Sequence, residues 1–355
     1  MHRKTEAHID LDAIRANFAL AGSLAPNSKS IAVIKANAYG HGMLRVATAL
    51  QDVAPAFAVA TIDEALELRK AGIPNAILVL QGVSTTEACK IAAAQHLTLV
   101  VHAPEQVEAL LAAKVRTPAW LKVDTGMHRL GLAPGDCQDA HKRLSRGGVD
   151  VQVVCTHFAC ADEPDNDATG QQIECFDAAT ASLGLPRSLA NSAAILAHPE
   201  SHADWNRPGY MLYGNSPLSI DVESARELQP SMTLHSEIIA IREVPEGESV
   251  GYGARWTARR PSIIGTVAIG YADGYPRHAP SGTPTRVNER TAPLVGTVSM
   301  DSITIDITEH EHAAVGDRVE LWGPGIALNE IAAAAGTIGY QLLTGISPRV
   351  PRIYA

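Results

Sequence analysis

An α/β fold, with an N-terminal (β/α)₈ barrel followed by a mostly β C-terminal domain, is predicted by three observations. Up to about residue 215, eight short apolar runs alternate with alanine-rich amphipathic stretches, as alternating strands and helices do. No GxGxxG follows the first run, which disfavours an open dinucleotide-binding sheet. After about residue 230 the runs are β-rich and separated by turn residues.

The eight runs are Ile31–Lys35, Phe57–Ala60, Ile77–Gln81, Leu97–His102, Ala119–Asp124, Val151–His157, Ser188–Asn191 and Tyr210–Gly214. Helix candidates between them are Ile62–Ala71, Thr85–Ala94, Pro104–Ala113 and Gln171–Leu183. Thr61 with Glu64 makes a capping box for the first, and Gly72 ends it. In the second half, Leu234–Arg242, Ser262–Ile269, Thr291–Ser299 and Ser302–Ile307 read as strands. Pro245-Glu-Gly, Gly316-Asp and Gly323-Pro-Gly are turns, and only Ile326–Ala335 reads as a helix. The expected division is a barrel over 1–232 and a β domain over 233–355, with residues 1–11 available to pair with the β domain.

The chain has 355 residues, 46% hydrophobic and 19% charged, enough for a sizeable core. A net charge of −9 and a densest basic run of three arginines, Arg255 to Arg260, argue against nucleic acid. Nothing approaches eighteen consecutive apolar residues, so no membrane span is expected. The first ten residues lack a signal-peptide apolar segment. The five cysteines (89, 137, 155, 160, 175) form no CxxC pair, which fits reduced thiols in a cytoplasm.

Lys35, in Ile31-Ala-Val-Ile-Lys-Ala-Asn-Ala-Tyr-Gly-His-Gly42, carries the most information. An apolar strand delivers an amine, and the backbone then turns tightly. Desolvation there favours the neutral amine, which can form a Schiff base with an aldehyde. The alternative is a lysine that snorkels to the surface.

Barrel chemistry sits at the C-terminal strand ends. Lys35, Gln81, His102, Asp124, Thr156, His157, Asn191 and Ser192 close runs there, and Arg207 precedes the eighth. Gln81 and His102 read as structural hydrogen-bonders. Lysine, histidine and arginine on one rim together suit an anionic, ring-containing ligand. In Trp120-Leu-Lys-Val-Asp124, alternation puts Lys122 and Asp124 on one face. If that face points inward, Lys122 needs a partner, and Arg129 has the same charge. Either Asp124 compensates or Lys122 is modified into an anion.

From end to end the chain resembles the alanine racemases, fold-type III enzymes that use pyridoxal 5′-phosphate. The resemblance runs through Ala7–Asn17, Val33–Gly42, Asp124-Thr-Gly-Met-His-Arg-Leu-Gly131, Thr156–Ala159, Ala190–Ala193 and Arg207-Pro-Gly209. It continues through Val250-Gly-Tyr-Gly-Ala254, Ile269–Gly274, Val298-Ser-Met-Asp301 and Arg349-Val-Pro-Arg352.

The resemblance implies that Lys35 binds the cofactor covalently and is one of two catalytic bases. The other is Tyr252, contributed by the second subunit of a head-to-tail homodimer. Inverting a stereocentre takes a proton from one face and returns one to the other. In the family, lysine handles the D isomer and tyrosine the L isomer. A free phenol ionises near pH 10, so the tyrosine needs help, supplied by a chain through His157 to Arg207. Arg207 donates to the cofactor's ring nitrogen. A cation that keeps its proton leaves that nitrogen unprotonated, which weakens the electron sink and limits transamination.

Further implied roles are these. Tyr39, Asn191 and Ser192, with backbone at Gly209 and Tyr210, bind the cofactor, chiefly its phosphate. Arg129 and the Met300 N–H bind the substrate carboxylate. Lys122 occupies a position often carbamylated. Asp162, Tyr271, Arg277 and Asp301 line the entrance. The substrate is alanine, the location cytoplasmic, and no metal is required. Two departures, Pro348 where many members have tyrosine and Thr297 where many have arginine, resemble the catabolic form of some Gram-negative bacteria.

The rivals are a broad-specificity amino-acid racemase, a barrel decarboxylase using the same cofactor, and a non-catalytic pyridoxal phosphate carrier. The decarboxylases have a glycine-rich phosphate loop and a partner cysteine, and the carrier has no β domain. Glu309-His-Glu-His312 reads as a solvated loop rather than a metal site. His157 with Cys160 places no nucleophile by spacing alone.

Overall fold

The computed structural model describes residues 4–355. It divides into two units, Ile14–Gln229 and Pro230–Ala355, the latter joined by the described residues up to Ala13. Strand β1 (Glu6–Ile9) therefore belongs to the second unit.

The first unit holds eight parallel strands. These are β2 (Lys29–Val33), β3 (Ala56–Val59), β4 (Ala76–Val79), β5 (Leu97–Val101), β6 (Pro118–Lys122), β7 (Asp150–Cys155), β8 (Arg187–Ser188) and β9 (Trp205–Asn206). Their order is β8-β7-β6-β5-β4-β3-β2-β9, with helices between them. All four residues of β3 and all five of β5 are buried, which explains runs apolar on both faces. The sheet nearly closes. Across the β8–β9 seam no ladder forms; instead Arg207 N donates to Ala190 O at 2.9 Å.

Helix Ile62–Lys70 has the expected capping box, Thr61 with Glu64, and Gly72 follows at φ +82°. Helices Thr86–Ala94 and Pro104–Ala113 lie where the sequence puts them, while the fourth candidate lies at Ala168–Thr180. The eighth strand is a correction. Tyr210–Tyr213 is a 3₁₀ turn, and the eighth strand is the two-residue β9. Tyr210, Met211, Leu212 and Tyr213 are all buried, so their apolar run reflects burial on every side rather than strand pairing.

The second unit is β-rich: β10 (Met232–Val244), β11 (Ser249–Val250), β12 (Trp256–Thr257), β13 (Ser262–Val267), β14 (Pro284–Val287), β15 (Arg290–Val295), β16 (Ile303–Asp306), β17 (Arg318–Trp322) and β18 (Arg352–Tyr354). The order β13-β16-β15-β14-β17-β10, with β10 also pairing β13, closes a ring of six strands. β10 is long enough to pair β1 and β17 along one half and β13 along the other. Beyond the expected helix near 326–335, which spans Leu328–Ala334, a second covers Gly339–Gly345. Glycine at both ends hides it from propensity. Among the described residues no helix is long and apolar enough to cross a membrane.

Candidate active site

Lys35 lies two residues past β2, and the backbone after it is unusual. Ala36, Asn37, Ala38 and Tyr39 have φ of 53°, 54°, 53° and 50°, a full left-handed turn. Left-handed backbone costs roughly 1–2 kcal/mol per non-glycine residue, so neighbours must hold it. Gly40 N donates to Ala36 O at 3.1 Å and Gly42 N to Asn37 O at 2.9 Å. Asn37 Oδ1 accepts from Met43 N at 2.8 Å, and Glu64 Oε1 from Ala36 N at 2.7 Å. Tyr39 is thereby tucked in and buried, while Lys35 stays half-buried. Tyr213 braces the turn, its hydroxyl donating to Val33 O at 3.1 Å and its ring 4.8 Å from that of Tyr39.

The surroundings are cationic. Burial, then Arg129 and Arg207, hold the Lys35 amine below the usual lysine range, against an opposing pull from Glu64. Lys122, the last residue of β6, is pushed down to about 8 by burial first and then by Arg207, Arg129 and Lys35. Asp124 does not compensate it: its oxygens are engaged by the amides of Gly126 and His128 and by the His128 ring. Cys155 lies opposite Lys122 in register, and burial pushes its thiol above the usual cysteine range, so it offers no counter-charge.

Arg207 is buried, and its guanidinium seals the barrel seam. Nη1 donates to Ser188 O (2.9 Å) and Ser188 Oγ (2.6 Å); Nη2 donates to Thr156 O (2.6 Å) and Leu189 O (2.9 Å) and lies 3.4 Å from His157 Nδ1. Nε has no acceptor among the described residues. Burial first, then Arg207, Lys122, Arg129 and Lys35, drive the His157 ring far below the usual histidine range, so it is neutral.

A polar cradle lies beside Tyr39. Ser192 Oγ accepts from Gly209 N at 2.8 Å and Met211 N at 3.3 Å. A Cβ on Gly209 would stand 2.8 Å from the Tyr39 hydroxyl, so only glycine leaves backbone and phenol this close. Asn191 caps the helix behind Ser192, its Oδ1 accepting from Ala194 N at 3.0 Å. Amine, uncommitted guanidine N–H and hydroxyl–amide cradle fit a planar ring bearing an aldehyde, an acceptor nitrogen and a phosphate.

In the β unit, Tyr252 sits on a 3₁₀ turn between Gly251 (φ 78°) and Gly253 (φ 75°) and is 73% exposed. Thr297 Oγ1 donates to Tyr252 O at 3.0 Å, so the threonine fixes the turn. Met300 is exposed, and its N–H has no acceptor among the described residues. Arg277 lies 5.9 Å from the Tyr271 ring, and Arg349 Nη2 donates to Asp301 at 2.7 Å. Pro348 is exposed. In the barrel unit, exposed Asp162 accepts from Ser219 N and Oγ through its carbonyl.

Sequence reasoning treated Glu64 only as a cap, and missed Ser188 and Tyr213. Glu64 was findable because its box lies at the end of the strand adjacent to β2. The other two carry no local signal. Among the described residues one group of metal-ligand type lies elsewhere, Glu6, His8 and His235 within 4.8 Å. Arg318 Nη2 donates to His235 Nδ1 at 3.0 Å, which leaves the proton on Nε2. A metal would need that nitrogen bare, so the group is a hydrogen-bonded cluster.

Residues 9–217 match the family "Alanine racemase, N-terminal domain" and residues 231–354 "Alanine racemase, C-terminal domain". The chain is 50% identical to an alanine racemase of Chromohalobacter salexigens, covering 100% of this chain and 98% of that one. It is 49% identical to the catabolic alanine racemase of Pseudomonas putida, covering 99% of each. The crystal structure of the biosynthetic alanine racemase from Pseudomonas aeruginosa superposes with a TM-score of 0.96 at 49% identity over 100% of both chains. That of the Bartonella henselae alanine racemase, with covalently bound pyridoxal phosphate, gives 0.92 at 31% identity, again over 100% of both.

Proposed function

This chain belongs to the alanine racemase family, and we propose that it interconverts L- and D-alanine with pyridoxal 5′-phosphate, using Lys35 and Tyr252 as bases. The carrying observation is a half-buried amine, shifted toward its neutral form, beside a guanidinium whose Nε–H alone is uncommitted. Bound pyridoxal 5′-phosphate supplies an aldehyde for the lysine amine and an electron sink next to the substrate α-carbon. Lys35 would hold it covalently, Arg207 Nε–H would meet the ring nitrogen, and Tyr39, Ser192 and the Gly209–Tyr210 backbone would hold the phosphate.

Lys35 Nζ exchanges the α-proton of the D isomer, and Tyr252 Oη that of the L isomer on the opposite face. His157, neutral with its proton on Nε2, offers that N–H to the phenolate. Arg207 spends its other N–H groups on three carbonyls and the Ser188 hydroxyl and keeps its proton, so it would leave the ring nitrogen of a bound cofactor unprotonated. Arg129 and the Met300 N–H orient the substrate carboxylate. Lys122 in its neutral form adds CO₂ at Nζ and releases a proton, giving a carbamate that offsets the surrounding cations and orients Arg129. Asp162, Tyr271, Arg277 and Asp301 line the approach.

The exposure of Tyr252 and Met300 supports a homodimer in which each subunit completes the other's site. The match to the C-terminal domain argues against a non-catalytic carrier. Five free thiols support a cytoplasmic location. In D₂O, either enantiomer of alanine should gain one deuterium at Cα per racemisation. Racemised product without deuterium would reject proton exchange.

A further inference from the structure

We propose that Glu64 is a positioning residue whose carboxylate clamps the left-handed turn Ala36–Tyr39 and so fixes the orientation of both Lys35 and Tyr39. The proposal rests on the reading of Lys35 as the cofactor lysine.

The geometry carries it. Oε1 accepts from Ala36 N at 2.7 Å, the first amide after Lys35. Oε2 accepts from Ala60 N at 2.7 Å and Thr61 N at 3.3 Å, in the loop after β3. One half-buried carboxylate thus ties the ends of two adjacent barrel strands. Four consecutive positive φ values without glycine persist only where surrounding contacts over-determine them. A capping box alone needs only the Thr61 contact; the bond to Ala36 reaches across to another element. Lys35 and Tyr39 stand at the two ends of the turn, so releasing it disturbs the covalent anchor and the phosphate contact together. Of the three charged groups that act on Lys35, only Glu64 is an anion.

The test uses full-length Glu64→Gln, which keeps the side chain's shape and the helix but turns one acceptor into a donor facing an N–H. With cofactor, the dissociation constant for pyridoxal 5′-phosphate should rise at least 10-fold. After cofactor removal, the pH midpoint for acylation of Lys35, followed by mass spectrometry, should fall, because the anion that favours the charged amine is gone. Thr61→Ala, which removes the cap hydroxyl and leaves Glu64, should lower thermal stability and leave both readouts unchanged. If Glu64→Gln leaves the dissociation constant within twofold of the natural protein and the pH midpoint unmoved, or Thr61→Ala moves them equally, the proposal fails. Should Glu64→Gln not fold, hydrogen exchange of the Ala36 amide in the natural protein decides: strong protection is expected, and exchange near the free-peptide rate overturns the clamp. An imine absorbance that survives Lys35→Ala would instead reject the underlying reading.

Discussion

Arg207 meets His157 through one contact, Nη2 to Nδ1 at 3.4 Å. A guanidinium cannot accept, so a proton on Nδ1 would face it without a partner, and the imidazole proton belongs on Nε2. Burial first, and then the neighbouring Arg207, hold the ring neutral far below the ordinary histidine range. Nitrogen-15 NMR should therefore show one Nε2–H tautomer from pH 8 down to 5. Titration with a midpoint near 6.5 would contradict this. The sign for stability follows: the unfolded histidine binds a proton below about pH 6.5 that the folded one refuses, so this group weakens the fold as pH falls through that value.

If each subunit completes its partner's site, activity in mixtures follows a simple rule. Lys35→Ala and Tyr252→Phe homodimers should each be nearly inactive, since losing a positioned acid–base group costs about 10²–10⁴-fold. A mixed dimer has one site with both defects and one with neither. Random co-assembly of equal amounts should thus restore about a quarter of natural activity if the tyrosine serves the partner's barrel. No recovery on mixing would mean that Tyr252 serves its own chain or is not a base.

Lys122 predicts a specific pH dependence. Its folded value of about 8 lies below the unfolded lysine value near 10.4. Between these the unfolded chain binds the extra proton, so the contribution to stability rises with pH from about 8 to 10 and is flat below 8. The full rise is on the order of 3 kcal/mol. Denaturant unfolding in CO₂-free buffer should show it, and Lys122→Met should lose that increment. Equal slopes for the two proteins would show that the amine is not desolvated as described.

Much of this was legible because burial and chemistry leave periodic or local marks. Alternating apolar runs marked seven barrel strands, and Lys35 stood out as an amine at the end of one. The closing strand left no mark, because two residues, Trp205 and Asn206, make no pattern. Arg207 could be placed on the rim, yet not as the seal of the β8–β9 seam: apart from the Ser188 hydroxyl, its acceptors are carbonyls from segments up to 51 residues away, and backbone oxygens have no sequence signature. Glu64 was visible as a helix cap; its reach to Ala36 depends on strand adjacency, which only the folded sheet supplies.

Gly209 isolates the cradle proposed for the phosphate. Its φ of −128° and ψ of −88° lie outside the regions that L residues favour, so alanine there is penalised by backbone as well as by contact. The added Cβ would stand 2.8 Å from the Tyr39 hydroxyl and 3.5 Å from Val33 Cβ. Because Val33 allows ordinary contact, the phenol must yield. Gly209→Ala should weaken pyridoxal 5′-phosphate binding by roughly 10-fold or more, about 1.4 kcal/mol. Tyr39→Phe removes the clashing oxygen, so adding it to Gly209→Ala should cost less than it does alone. The double-mutant cycle, read by cofactor titration, should therefore be non-additive by at least 0.5 kcal/mol or so. Strict additivity would mean that the hydroxyl and the glycine backbone do not form one cradle.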